Sequence, residues 1–426
     1  MAPGDPPPGL PSAANLFRHE AGKMVAILTR LFGAANLEVA EDAVQETLLQ
    51  AMETWKADGP PANPAAWLFS VARNKAIDVI RRQRHSVRFD FSDGDRILLA
   101  SEYTLAATVE SLWSETSIED DMLGMMFACC HPALGEESQM ALVLKTLCGF
   151  STAEIAQAFL TSEDTVSKRL FRAKEFFRRE RIRPGLPPDG ELKERLGMVI
   201  HSIYLLFNEG YHSSQGHPVR DEFIGEALSL GKLLADNPNT SDPRVYALMA
   251  LMCFHAARSG SRLTAGGDLV LLPDQDRAAW DHRLIREGAA YLDRGSSGEA
   301  MTAYHLEAAI AWEHCKAGSF AATDWVRILH YYQWLCRISP GPMADLNRII
   351  VVMQTSGPGA ALRELDSLAG REDLRKLTLY HALLGEIHAG LGNADLARAG
   401  YETAAGLTRS DAERKVLRDK ADRLGT

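Results

Sequence analysis

The sequence contains no apolar run long enough to span a bilayer and few cysteines, six in 426 residues without regular spacing. The first absence argues against a membrane protein. The second predicts a protein of the reducing cytoplasm rather than a disulfide scaffold. Residues 1–14 are rich in proline and lack both a basic n-region and an apolar h-region, so we expect a disordered leader and no signal peptide.

Motifs typical of several enzyme classes are also missing. The chain has no Walker A pattern, no dinucleotide-binding fingerprint and no nucleophile elbow, so nothing indicates a cofactor or a catalytic activity. Its composition is that of an ordinary globular protein, with 46% hydrophobic residues and a mean hydropathy of −0.15. The net charge of −10 means that any contact with nucleic acid has to come from local basic patches.

Helical periodicity dominates nearly every segment and strand-like alternation is scarce, which predicts an all-α fold. We expect two small helical domains at residues 15–85 and 119–183, joined by a linker over residues 86–118. A run rich in proline and glycine after Arg183 marks a boundary. Residues 191–426 then form a further helical region.

The segment 151–183 is the most informative part of the chain and predicts a helix-turn-helix. Ser151 and Glu154 have the spacing of a capping box, which places a helix start there. Ser162 is suited to cap a second helix after a short turn.

The second helix has one apolar face and one polar, cationic face. The residues spaced for burial are Val166, Leu170, Ala173 and Phe177. The residues on or beside the opposite face that suit phosphates and base edges are Thr165, Ser167, Lys168, Arg169 and Arg172. A solvated amphipathic helix is the plain alternative. DNA binding is favoured because residues 168–183 hold eight Lys/Arg against two Glu in an otherwise acidic chain.

The N-terminal block contains a helix over residues 37–55 and another that begins after Asn63. The first helix has an apolar stripe made of Val44, Leu48, Ala51 and Trp55. Its polar face, which alone is only a solvated surface, carries Asp42, Gln45 and Glu46. Pro64 follows Asn63 as the first helical residue. The second helix presents and ends in polar or basic residues at Asn74, Asp78, Arg81 and Arg82, a pattern compatible with single-stranded nucleic acid. Trp67 on this helix is more typical of a core than of a stacking platform.

These segments together resemble the bacterial RNA polymerase sigma factors of the extracytoplasmic-function (ECF) type. The matching stretches are residues 41–55, 63–82 and 151–178, in the order and spacing of sigma region 2 followed by sigma region 4. The resemblance covers residues 15–183. The remainder is similar to the ECF subgroup with a long C-terminal extension that resembles tetratricopeptide (TPR) repeats, of which residues 208–214 and 271–281 look characteristic.

The resemblance implies a role for each surface. Asp42, Gln45 and Glu46 match the face that docks on the clamp helices of the polymerase β′ subunit, and region 4 is expected at the β flap. The loop 57–62 with Asn63 matches the pocket for a flipped base of the promoter −10 element. The residues expected beside melted −10 DNA are Trp67, Asn74, Asp78, Arg81 and Arg82. Those expected to bind the −35 element are Thr165, Ser167, Lys168, Arg169 and Arg172. Glu163 or Asp164 either accept from a cytosine or complement the helix dipole.

The C-terminal region carries a weak internal repeat. The residues that match the small/large pattern of a TPR helix pair are Leu384, Gly385, Ala397, Tyr401 and Ala404. A poorer copy lies around residues 347–368, and a generic helical hairpin is the alternative. We expect this extension to act as an attached regulator or as a platform for a regulatory protein.

Three other clusters allow more than one interpretation. Cys129 and Cys130 are adjacent without a second ligand pair, so packing is favoured over zinc. The run 208–222 offers possible metal ligands at Glu209, His212, His217 and Asp221, although a turn between helices fits its spacing better. The helical pattern is interrupted over residues 259–281, which predicts a short hairpin or an ordered loop. Its polar residues, which suggest either a locked loop or a regulatory contact or ligand site, are Asp274, Gln275, Asp276, Arg277, Trp280 and Asp281.

The sequence therefore predicts an alternative sigma factor that directs core RNA polymerase to promoters and is not itself an enzyme. One rival is a TPR-containing transcription activator that binds operators through its helix-turn-helix without becoming a polymerase subunit. A second is a metal-dependent enzyme that uses Glu209, His212 and His217.

Overall fold

The computed structural model describes residues 13–83, 115–159, 161–211, 221–264, 266–298, 300–368 and 372–424. Within these ranges every regular element is helical, apart from one antiparallel bridge between Leu263 and Leu269. The predicted all-α fold is confirmed. None of the helices in the described ranges has the length and hydropathy needed to cross a membrane. The chain divides into two compact units, Met1–Leu205 and Leu206–Thr426.

Among the described residues, eight helices belong wholly or partly to the first unit. They are α1 (Ala13–Phe32), α2 (Leu37–Asp58), α3 (Pro64–Gln83), α4 (Glu115–Cys129), α5 (Glu136–Leu142), α6 (Thr152–Ala158), α7 (Glu163–Glu180) and α8 (Asp189–Tyr211). A π-helical turn, Val143–Leu147, follows α5. Helix α1 is central because it packs against α2, α3, α4 and the π-helical turn. Its largest fully buried side chains are Met24, Ile27, Leu28 and Phe32.

The unit boundaries differ from the expected ones at two places. Helix α4 begins at Glu115, inside the expected linker; the rest of that linker, like the leader up to residue 12, lies outside the described residues. Residues 191–205, expected to open the extension, belong to the first unit. The Arg195 guanidinium donates to the Phe127 carbonyl at 2.8 Å, and the Cys130 thiol donates to the Ser202 hydroxyl at 3.4 Å. Helix α7 already ends at Glu180, and the proline- and glycine-rich run after Arg183 does not end the unit.

The second unit is a succession of helices, several of them joined by short turns and one pair by a long loop. Its helices after α8 are α9 (Asp221–Asp236), α10 (Pro243–Ala256), α11 (His282–Gly295), α12 (Ala303–Lys316), α13 (Trp325–Ile338), α14 (Pro342–Ser356), α15 (Pro358–Ser367), α16 (Thr378–Gly390), α17 (Ala394–Leu407) and α18 (Asp411–Arg423). Side chains cap several of these helices, as the sequence chemistry requires: Asp242 precedes Pro243 at the start of α10, and Asp281 accepts from two amides at the start of α11.

Small residues allow α16 and α17 to approach closely. A Cβ on Gly400 would lie 2.8 Å from the Gly385 amide nitrogen, and a Cβ on Gly385 would lie 2.7 Å from the Tyr401 ring. Tyr401 is buried with Ala397 and Ala404. The expected helix pair is therefore present, with its glycines at the crossing. The poorer upstream copy corresponds to α14 and α15, which share one apolar cluster.

The interruption between α10 and α11 is an ordered loop with the single β-bridge and three short 3₁₀ turns. The Thr264 amide donates to the Asp268 carbonyl at 2.9 Å, and the Val270 amide donates to the Arg262 carbonyl at 2.8 Å. Of the two predicted forms, the loop is the better description, with one hairpin-like contact inside it.

The close crossing of α16 and α17 predicts that two Gly→Ala substitutions on α17 change the free energy of unfolding differently. Gly400→Ala places a methyl group against backbone and should lower the free energy of unfolding of this pair by about 1–3 kcal/mol. Gly406 faces open space, so Gly406→Ala should be neutral or stabilise α17 by up to about 1 kcal/mol. Hydrogen exchange of α16 and α17 amides measures both. Equal protection in the two variants would contradict the packing described here.

Candidate functional site

The helix-turn-helix is fixed by two serine caps. The Glu154 amide donates to the Ser151 hydroxyl at 3.2 Å, while the Ser151 amide donates to the Glu154 carboxylate at 2.7 Å, which completes the predicted capping box. The Thr165 amide donates to the Ser162 hydroxyl at 3.2 Å, so Ser162 caps α7 as expected. Leu160, in the turn between the helices, lies outside the described residues.

Helix α7 is amphipathic in the predicted sense. Its buried residues are Val166, Leu170, Ala173 and Phe177. Because this stripe is fixed in the core, the side chains of Ser167, Lys168 and Arg172 are exposed on the outer surface of the helix. Thr165 is half-buried, and its hydroxyl lies 2.8 Å from that of Ser162.

The cations of α7 differ in how far they are engaged by protein carboxylates. Lys168 donates to Asp164 at 2.6 Å, but both side chains are well exposed, so this pair stabilises the helix little and leaves Lys168 available. Arg169 is only 20% exposed and donates to Glu137 of α5. Arg172 is exposed. Lys168 and Arg172 are therefore the cations of α7 most accessible to an anionic partner, whereas Arg169 is engaged by Glu137.

The outer surface of α2 is acidic and amidic, as predicted. Asp42, Gln45 and Glu46 are exposed, while Val44 and Ala51 are buried on the other side of the helix. Lys75 of α3 donates to Glu46 at 3.2 Å in an exposed pair. The three predicted polymerase-contact residues therefore share one accessible face.

Two apolar residues extend this face and were missed by the sequence reasoning. Leu49 is 59% exposed and Met52 is 58% exposed. They follow Gln45 at i+4 and i+7, so continuing the pattern from Gln45 along the helix would have found them. Exposed large apolar side chains beside a polar face are typical of a protein-docking surface.

The proposed −10 surface begins at the cap of α3. The Ala66 amide donates to the Asn63 side-chain oxygen at 3.0 Å, which confirms that Asn63 caps the helix. Trp67 is half-buried and packs edge-on against Trp55, with ring centroids 5.5 Å apart. Asn74 and Asp78 are exposed.

The side chains of Arg81 and Arg82 lie outside what the structure describes, as do His212 and His217. Glu209 lies near the end of α8, and Asp221 is the first residue of α9. In the described ranges no group of three metal-ligating side chains is close enough to hold an ion. Because His212 and His217 lie outside these ranges, the hypothesis of a metal-dependent enzyme stays a prediction.

Cys129 and Cys130 are buried packing residues. The Cys129 thiol lies 3.4 Å from the Thr146 hydroxyl. Burial raises the pKa of both thiols, that of Cys130 to about 11, so neither is a thiolate at neutral pH.

The loop 271–281 is held against helix α12 of the second unit by Arg277. Arg277 donates to the carbonyls of His314 and Ala317, at the C-terminal end of α12, and its guanidinium carbon lies 4.8 Å from the centre of the Trp280 ring. Trp280 is 3% exposed. Burial, followed by the charges of Arg258 and Arg277, lowers the pKa of His314 to about 3.

The acidic residues of this loop have local roles. The Ala278 amide donates to Asp276 at 2.9 Å, and Asp281 caps α11. Asp274 is exposed at the end of a 3₁₀ turn. These contacts are those of a loop locked onto the helical array, which is one of its two predicted interpretations.

Comparison with known proteins identifies the two regions of the first unit. The family model for Sigma-70 region 2 matches residues 16–86, and that for Sigma-70, region 4 matches residues 124–177. Residues 195–296 match a family of unknown function, DUF6596.

Relatives cover either the whole chain or its first part. An uncharacterized protein of Rhizobium meliloti, R00370, is 36% identical over 390 residues, 91% of this chain and 90% of that protein. The ECF RNA polymerase sigma factor SigL of Mycobacterium tuberculosis is 35% identical over 156 residues, 36% of this chain and 80% of SigL. EcfG of Rhodopseudomonas palustris, also an ECF RNA polymerase sigma factor, is 29% identical over 142 residues, 33% of this chain and 70% of EcfG.

No solved structure matches the chain. The two family models fall on the helices that carry the acidic face of α2 and the cationic face of α7, and SigL is matched over most of its own length. On this evidence the chain belongs to the ECF RNA polymerase sigma factors, with sigma regions 2 and 4 in its first unit and a helical C-terminal region after them.

Proposed function

We propose that this sigma factor binds core RNA polymerase through the outer face of α2 and promoter DNA through α3 and α7. The contact with the β′ clamp helices is assigned to Asp42, Gln45 and Glu46, with Leu49 and Met52 as its apolar continuation. Region 4 lies at the β flap and holds the −35 element. We place its action in the cytoplasm, as a specificity subunit without catalytic activity.

The observation that carries this proposal is the separation of charge between two exposed helix faces. Helix α2 presents carboxylates and an amide, whereas α7 presents Lys168 and Arg172, each opposite its own buried stripe. An acidic face complements a basic protein partner, and a cationic one complements the phosphate backbone.

The −10 surface is assigned to the cap of α3 and the exposed residues that follow it. Asn63 lies at the end of the loop that would receive a flipped base, and Trp67 lies next to it on α3. The remaining residues assigned to melted DNA are Asn74, Asp78, Arg81 and Arg82. Unstacking a base costs a few kcal/mol, to an order of magnitude. A pocket that binds one particular base offsets this cost, so that duplex melting depends on the base that is flipped.

The C-terminal region is proposed to regulate the sigma regions or to bind a regulatory protein. Its array of helix pairs supports this, because such arrays present extended surfaces for partners. The loop 271–281 is proposed to hold the helices of that region in the arrangement that regulates or binds a partner. The residues assigned to this role are Asp274, Asp276, Arg277 and Trp280.

The polymerase contact can be tested by charge reversal on α2. Asp42→Lys combined with Glu46→Lys should weaken binding to core polymerase by about tenfold or more, because like charges then meet across the interface. Gel filtration with core polymerase measures co-elution of the two. Glu119→Lys, an equally exposed reversal on α4, is the matched control and should co-elute as the wild type does. Undiminished co-elution of the double variant would remove α2 from the interface.

The DNA contact can be tested by charge reversal on α7. Lys168→Glu and Arg172→Glu should each weaken binding of the holoenzyme to a duplex selected from random sequence. Each should also reduce the slope of log affinity against log salt by about one. Fluorescence anisotropy over a salt series measures both quantities. Arg286→Glu, an exposed reversal in the second unit, should change neither. Slopes that match the wild type in both α7 variants would refute the assignment.

A further inference from the structure

Three arginines of the second unit lie together around two aromatic rings. The guanidinium carbons of Arg277 and Arg258 lie 4.8 and 5.8 Å from the centre of the Trp280 ring. The guanidinium carbon of Arg262 lies 4.0 Å from the centre of the Tyr211 ring. Arg258 also donates to the Tyr211 hydroxyl at 2.6 Å, so it contacts both rings. Arg258, Arg262 and Arg277 are called the arginine cluster below.

The arginine cluster has no acidic partner. Within the described ranges no carboxylate forms an ion pair with any of its three guanidinium groups. The acceptors are neutral instead: Arg262 donates to the Tyr211 carbonyl, and Arg277 donates to two carbonyls at the end of α12. Residues 212–220, which follow Tyr211 in the sequence, contain no Asp or Glu either.

Burial makes this positive charge costly. It lowers the pKa of Arg262 and of Arg277, and the nearby charge of Arg258 lowers each further. His314 lies close to Arg258 and Arg277, and its low pKa keeps its imidazole neutral at pH 7. Guanidinium groups stay protonated in proteins, so a buried group of them is stabilised by an anion rather than by losing protons.

Three buried N–H groups at this place have no hydrogen-bond acceptor among the described residues. They are Arg258 Nε, Arg277 Nη2 and Trp280 Nε1. Trp280 is 3% exposed, so its indole N–H is shielded from bulk water. Buried donors are nearly always paired, and three unpaired donors around one ring therefore indicate a ligand that accepts several hydrogen bonds.

We propose that the N–H groups of Arg258, Arg277 and Trp280 form a binding site for a phosphate dianion. Arg262 adds a third positive charge nearby. Phosphate is favoured over a carboxylate because it carries about two negative charges and three acceptor oxygens as a monoester, which matches several cations and separate donors. The ligand is free phosphate or a small phosphate monoester. This site goes beyond the proposed sigma function and needs neither polymerase nor promoter.

A bound phosphate would also hold the loop 271–281 in place. Arg277 and Trp280 belong to the loop, whereas Arg258 follows the end of α10. One ligand that accepts hydrogen bonds from all three therefore joins the loop to the helical array. The amides of the loop should then exchange more slowly when the site is filled.

The site can be tested by isothermal titration calorimetry of the full chain with inorganic phosphate. At constant ionic strength, with chloride as the reference anion, we expect one saturable site per chain. Arg258→Gln should weaken phosphate binding by at least about tenfold, because it removes hydrogen bonds to a charged ligand. Arg294→Gln is the matched control and should bind as the wild type does. Arg294 also lies over a tyrosine, 3.9 Å from the centre of the Tyr246 ring, and donates to its hydroxyl at 2.6 Å, but it lies outside the arginine cluster.

Trp280→Phe is a second variant that removes the indole N–H and keeps an aromatic ring. It should also weaken phosphate binding by about tenfold. Circular dichroism and thermal unfolding without phosphate check that Trp280→Phe and Arg258→Gln are folded. Hydrogen exchange locates the ligand: phosphate should slow exchange in the loop 271–281 at least about fivefold in the wild type and in Arg294→Gln.

Several results would overturn the proposal. They are the absence of saturable binding, equal affinity in the wild type and in folded Arg258→Gln and Trp280→Phe, and unchanged exchange in the loop 271–281. Acetate that binds as tightly as phosphate would overturn the assignment to a phosphate dianion.

Phenyl phosphate separates the two sources of the ligand. Tighter binding of phenyl phosphate than of inorganic phosphate would support a monoester, and the reverse order would support the free ion. All these measurements use the chain alone, so their failure leaves the proposed sigma function standing. A chain that does not co-elute with core polymerase would in turn leave this site standing.

Discussion

The burial of one apolar stripe on each amphipathic helix is the constraint from which the functional surfaces follow. On α7 the stripe ends at Phe177, and on α2 it includes Val44 and Ala51, all of them buried. Once these side chains are in the core, helical geometry leaves no choice about what faces outward. Carboxylates and an amide lie outside on one helix and cations on the other. The net charge of the chain would not have indicated the cationic face of α7, because the chain as a whole is acidic.

The same packing brings region 2 and region 4 together through side chains that also serve locally. Glu154 caps α6 and receives Arg18, while Glu41 lies one residue from the proposed polymerase face and receives Lys174. Asp121 on α4 shows how closely the regions are joined, since burial raises the pKa of its carboxyl to about 6 despite the nearby Arg30, whose guanidinium donates to it at 2.9 Å. Because of such contacts, the stability of each region depends on its packing against the other.

Local features of this fold were predictable because they depend on neighbours in sequence. The caps at Ser151, Ser162 and Asn63 and the stripe on α7 follow from side-chain chemistry at spacings of three and four residues. The close approach of α16 and α17 at Gly385 follows from a repeat of small residues.

The contacts between regions could not be predicted in this way. Glu41 and Lys174 are 133 residues apart, and nothing in the sequence near either residue indicates its partner. The continuation of the first unit into α8 was missed for the same reason. The proline- and glycine-rich run interrupts the helical pattern, but long-range hydrogen bonds from Arg195 to Phe127 and from Cys130 to Ser202 join α8 to the end of α4. The acidic face of α2 was recognised as functional only through the family resemblance, since an exposed polar face alone indicates nothing more than solvation.

As a sigma factor, this chain is expected to give core RNA polymerase the ability to start at chosen sites. The direct measurement is run-off transcription by core polymerase on fragmented genomic DNA from the same cell, with and without the chain, followed by sequencing of RNA 5′ ends. We expect a set of 5′ ends that appears only with the chain and is preceded by two shared elements at a fixed spacing. Identical 5′ ends in the two reactions, with core polymerase shown to be active, would contradict it.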